Sequence, residues 1–109
     1  MASLPIMSVQ NIIIKAEEKG EAIKNNRMRD RWGAGELREQ YASTNDGKIF
    51  TLRHWGTEIL KLNLRTLKIL DYYGEGNSDR DAVQTALNYF GIKGDVHYYP
   101  SREEFVINE

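Results

Sequence analysis

Between Glu39 and Tyr73, short runs of β-branched, aromatic and aliphatic residues alternate with reversal signals, and few arrangements accommodate that spacing. Asn45-Asp46-Gly47 separates residues 39–44 from residues 48–54, and Asp-Gly supplies the positive φ angles a tight reversal needs. Residues 57–62 and 67–73 make the next pair around Asn63-Leu64-Arg65-Thr66. If Leu62 faces Leu67 across that turn, Leu60 pairs with Ile69, and these four join Phe50 and Leu52 on one inward face. Lys61, Lys68 and Tyr72 then point outward. Four antiparallel strands in succession are expected.

Helical patterns flank this region. Ser8 is placed to cap a first helix whose stripe, Val9, Ile12, Ile13, Ala16, Gly20 and Ile23, follows the i, i+3, i+4, i+7 rhythm. Gly20 inside that stripe would permit close approach to a sheet, at a cost of about 1 kcal/mol in helix propensity. Asn25-Asn26 is a stop, although nothing in residues 27–31 forbids continuation, and Gly33 and Gly35 end any helix. Ser78 and Asp81 stand at capping-box spacing before a second helix with the stripe Val83, Ala86, Leu87 and Phe90, which Gly91 terminates. Residues 96–99 and 104–107 form a closing hairpin around Pro100-Ser101-Arg102. The order α-β-β-β-β-α-β-β predicts an α+β fold, an antiparallel sheet of four to six strands with two helices mainly on one face.

The chain has 109 residues, which suits a single domain burying roughly two thirds of its unfolded surface. Fifteen basic and sixteen acidic side chains nearly balance, so the chain has neither the basic excess usual in a duplex-DNA binder nor the acidic excess of a nucleic-acid mimic. The longest apolar run is Ile12-Ile13-Ile14, too short for a membrane span. No cysteine is present, which removes disulfides and thiolate metal sites and fits a reducing cytoplasm.

Chemical signals are sparse. Gly74-Glu75-Gly76 lacks the third glycine of a dinucleotide loop, and the Asp-rich helix start lacks the glycine and the closing Glu of a calcium loop. The two histidines, His54 and His97, have no ligand neighbour at metal spacing, and no nucleophile-elbow sequence supports a catalytic triad. No catalytic residue, metal or cofactor is expected. The suggestive cluster is Arg53-His54-Trp55, a cation, an imidazole and a large aromatic at the end of a strand, suited to a protein hot spot or to stacking a base. Set against that, Trp55 could close the rim of the core beside a β-bulge at Gly56. Arg27, Arg29, Arg31 and Trp32 form a second patch, with a solvated charged face as the simpler account. Tyr72 completes the candidate surface.

Arg53-His-Trp-Gly-Thr-Glu-Ile-Leu, the hairpin after it, the helix from Ser78-Asp-Arg-Asp to Phe90-Gly-Ile and the closing His97-Tyr-Tyr-Pro-Ser-Arg-Glu-Glu-Phe resemble small phage and prophage accessory proteins of Gram-positive hosts. The resemblance covers roughly residues 48–109. It implies a protein that binds host machinery, and some phage proteins of this size are anti-CRISPR factors. The leading expectation is therefore a non-enzymatic cytoplasmic inhibitor of a host defence protein, such as the CRISPR effector Cas9 or its ribonucleoprotein complex. The rival is a small nucleic-acid-binding protein using Arg27, Arg29, Arg31, Arg53 and Trp55. A free edge strand at residues 104–107 could also pair with its copy in a homodimer.

Overall fold

The computed structural model describes residues 6–30 and 33–109, and side chains over 6–27 and 35–109. Helix α1 spans Met7–Lys19, with Ile6 rather than Ser8 at its cap and no side-chain cap bond. Instead the Ile6 amide donates to Thr85 Oγ1 at 3.1 Å, which fastens the start of the helix to the second one. Val9, Ile12, Ile13 and Ala16 are buried as the stripe predicts. The helix then stops earlier than the pattern suggests. Gly20 takes φ 90°, a left-handed conformation open to glycine, and its amide donates to the Ala16 carbonyl at 2.8 Å.

That stop corrects the expected role of Gly20 and of everything after it. Residues Glu21–Asp30 form strand β1, so Ile23 belongs to no helical stripe and is 48% exposed. Strand β1 pairs antiparallel with β2, Gly33–Asn45, from Glu21 opposite Thr44 to Asp30 opposite Gly33. The sheet continues through β3 (Ile49–His54), β4 (Thr57–Asn63) and β5 (Lys68–Tyr72) in sequential order, one strand more than expected before the second helix. The chain is α+β, as its turn pattern predicts.

The core follows from the β3–β4 register. Phe50 lies opposite Leu62 and Leu52 opposite Leu60, and all four are at most 1% exposed. A β-bulge interrupts this ladder after Leu52, so Ile59 and Leu60, adjacent in sequence, are both buried. The β4–β5 register departs from the simple expectation. Leu62 faces Ile69 and Leu60 faces Tyr72, while Leu67 sits in the turn at φ 54° and is half exposed. A second bulge at Leu70 takes up the difference, which moves Tyr72 off the outward face expected for it.

Helix α2 spans Asn77–Phe90 and contributes Ala82, Val83, Ala86 and Leu87 to the same cluster as α1. Its cap is Gly76, not Ser78, which lies within the first turn. Ser43, the buried hydroxyl of β2, donates to the Ile12 carbonyl at 2.9 Å and so ties sheet to helix without an unsatisfied group. Strands β6 (Asp95–Tyr99) and β7 (Glu104–Asn108) form a separate two-stranded ribbon around a 3-10 turn at Pro100–Arg102. Gln84 holds that ribbon to α2 by donating to Gly94 O and accepting from the Val96 amide, each at 2.9 Å. Among the described residues, no helix is long and apolar enough to cross a membrane.

Candidate functional site: the β3–β4 hairpin tip and its cleft

Strands β3 and β4 are joined by two residues, Trp55 and Gly56, with His54 paired to Thr57. Both linking residues have positive φ, 51° and 85°, the requirement of a tight hairpin turn whose twist matches its strands. Glycine meets that requirement freely. Tryptophan does not, because its Cβ crowds the following carbonyl at roughly 1–2 kcal/mol. The Trp55 amide donates to Gln40 O at 2.8 Å, which helps hold the turn in place. Gly56 is thus a turn residue, and the bulge that the core-rim alternative placed there lies at Ile59.

Successive side chains of a strand point to opposite faces, and this separates the Arg53-His54-Trp55 trio. Arg53 stands on the outer face, where its Nε donates to Glu39 at 3.2 Å. His54 turns inward. Its ring stacks on Tyr41 at 4.5 Å between centroids and 9° between planes, and its Nδ1 lies 2.6 Å from Asp79 Oδ1. Each member of the pair is only 13% exposed. Trp55 occupies the tip, tilted against His54 with ring centroids 5.9 Å apart and 36% exposed.

Asp79 sits in the first turn of α2, where a carboxylate complements the positive end of the helix dipole. Its second oxygen accepts from the Glu75 amide at 2.9 Å, reaching back to an otherwise unpaired donor. Burial would raise its pKa, but the hydrogen bonds from His54 and from the Glu75 amide, with the nearby imidazole charge, outweigh burial and hold it below its ordinary value. Tyr41 responds in the other direction: burial first, then Asp79 and Asp81, raises its phenol. Tyr73 donates to Glu75, and that bond is the first cause of its own raised pKa.

Between the hairpin tip and the start of α2 lies an open cleft of about 320 Å³. Ile59 forms an apolar part of the lining, Trp55 and Tyr73 supply aromatic surface, and His54, Glu75 and Asp79 supply the polar one. An aspartate orienting an imidazole can set up a general base. Ser78 and Thr57 line the same cleft, yet among the described residues no hydroxyl is hydrogen-bonded to the imidazole. The His54–Asp79 pair therefore reads as a staple from β3 to α2 that also shapes the cleft wall. His97 lies 6.0 Å from the Tyr99 ring, and no metal-binding group forms among the described residues.

The second expected patch lies elsewhere. Strand β2 pairs with β3 only over Tyr41–Asn45, leaving the distal half of the β1–β2 hairpin as a two-stranded arm. Arg27 stands on that arm opposite Leu37 and donates to Gly35 O at 3.3 Å. Arg53 faces Ala42, five positions further along β2, on the order of 17 Å away. Arg31 and Trp32 fall outside the described residues, as does the side chain of Arg29. Tyr72 sits on the core side at the β5 edge, tilted against Phe105 at 6.1 Å and 39% exposed. Asp79, Tyr41 and Tyr73 were not expected at a site; the one signal for Asp79 was an acid-rich helix start beside a histidine-bearing hairpin.

Compared with family models, curated proteins and solved structures, the chain matches none.

Proposed function

We propose that this chain is a non-enzymatic phage accessory protein that binds and inhibits a host defence component, such as the CRISPR effector Cas9, through the β3–β4 hairpin tip. The observation that carries the reading is Trp55. It holds the first position of a tight turn, where asparagine or glycine serves folding better, and it keeps a left-handed backbone there. Strain retained at a partly exposed aromatic points to a use outside the fold. Tyr73, 47% exposed on the same cleft, adds a second side chain of the kind that dominates interface energetics. The partner class proposed is the one that the sequence resemblance of residues 48–109 to phage accessory proteins implies.

The test is capture from a lysate of a phage-sensitive Gram-positive host, with the natural protein and Trp55→Asn as paired baits. Recovery of one defence protein by the natural chain and its loss with Trp55→Asn is the expected result. A partner retained equally by both baits contradicts the assignment of the surface, and no stable partner contradicts the function.

A second reading, nucleic-acid binding, is favoured by the β1–β2 arm. Residues 24–40 carry five basic side chains against three acidic ones, and a two-stranded ribbon is narrow enough for a duplex major groove. Affinity for labelled DNA or RNA that falls steeply between low and physiological salt would support it.

A further inference from the structure

The cleft behind Trp55 has a definite chemical preference, and its lining names the ligand. Two carboxylates, Glu75 and Asp79, face it together with His54, and among the described residues no lysine or arginine does. Against them stands the positive end of α2, worth about half an elementary charge. The lining stays net negative whether His54 is neutral or protonated, which rules against phosphate or any anion as occupant. Both carboxylates keep acceptor capacity. Asp79 uses one bond on each oxygen, and Glu75 receives the Tyr73 hydroxyl on Oε1, leaving Oε2 free among the described side-chain bonds. Indole and phenol rings on the same cleft offer faces that attract a cation.

We infer that this cleft takes an arginine side chain presented by the protein partner, with the guanidinium between the Glu75 and Asp79 carboxylates and its plane against Trp55. The inference rests on the reading of the hairpin tip as a partner-binding surface and adds the chemistry that surface recognises. Arginine suits it better than lysine because a planar fork can meet carboxylates at two points and stack on a ring at once. A volume of about 320 Å³ is ample for that side chain.

The experiment is an NMR titration of the ¹⁵N-labelled full chain with acetyl-Gly-Arg-Gly-amide and, separately, with acetyl-Gly-citrulline-Gly-amide, an isosteric neutral control. Saturable shifts of the Trp55 indole N–H and the Gly76 amide with the arginine peptide are expected, with the citrulline peptide about tenfold weaker or more. Glu75→Gln, an exposed change that keeps an acceptor for Tyr73, should weaken the arginine peptide about threefold or more. Equal binding of the two peptides overturns the inference, as does the absence of saturable shifts at the cleft. Either result would do so even if Trp55-dependent capture of a host protein stands, because capture reports the surface and the peptides report its chemistry.

Discussion

Replacing Asp79 by asparagine isolates the contact that joins the hairpin to α2. The substitution removes the charge while leaving an oxygen able to accept from the Glu75 amide, so the change falls on the 2.6 Å bond to His54. Hydrogen bonds to a charged group contribute about 1.5–3 kcal/mol, and the pair's low exposure, 13% for each side chain, places this one near the middle, about 2 kcal/mol. For a domain of this size that corresponds to a fall in Tm of about 8 °C. Urea unfolding followed by circular dichroism at pH 6 measures it directly. A double-mutant cycle with His54→Gln should return a coupling of about 1.5 kcal/mol, since each single change already breaks the same bond. The pH dependence has a definite sign. Asp79 has a folded pKa below its unfolded value, so its contribution is complete above the ordinary aspartate value near 3.9 and fades as the pH falls through the folded value. The gap between the natural chain and Asp79→Asn should hold above about pH 5 and narrow below about pH 4. A difference under about 0.5 kcal/mol at pH 6, or a gap that widens on acidification, would refute the reasoning.

Two further outcomes follow from the core and the turns. Phe50→Ala empties a fully buried ring position that packs edge-on against Phe90 at 4.9 Å, and should cost about 3–5 kcal/mol by urea unfolding, enough to leave the domain marginal. Leu67→Gly should do the reverse: Leu67 holds φ 54° in the β4–β5 turn with half its surface exposed, so relief of the left-handed backbone should raise stability by up to about 1 kcal/mol in the same assay.

The legible parts of this fold are those whose signals are local. Asp46-Gly47 marks the β2–β3 reversal, where Asp46 accepts from the Lys48 and Ile49 amides and Gly47 takes φ 87°. The inward set Phe50, Leu52, Leu60 and Leu62 follows from alternation, and the α2 stripe from its helical period. Strand β1 was not legible, because Glu21–Asp30 is polar, has one β-branched residue and continues the helical rhythm of α1 through Ile23. Its state is decided by two things a local pattern underweights: a left-handed Gly20 and a long ladder with β2. Tyr72 was misplaced for a related reason, since a bulge at Leu70 reverses the side chains beyond it. At the site, Arg53, His54 and Trp55 were legible as residues but not as three separate environments. The partner of His54 lies 25 positions away, beyond the reach of any spacing argument.

The central claim is that Trp55 occupies the hairpin tip for recognition rather than for folding, and the unfolding free energy of Trp55→Asn tests it most directly. Relief of the positive φ and loss of partial packing against His54 act in opposite directions, so the account predicts stability within about 1 kcal/mol of the natural chain. A loss of about 3 kcal/mol or more, the scale of a buried aromatic, would place Trp55 in the core and contradict it.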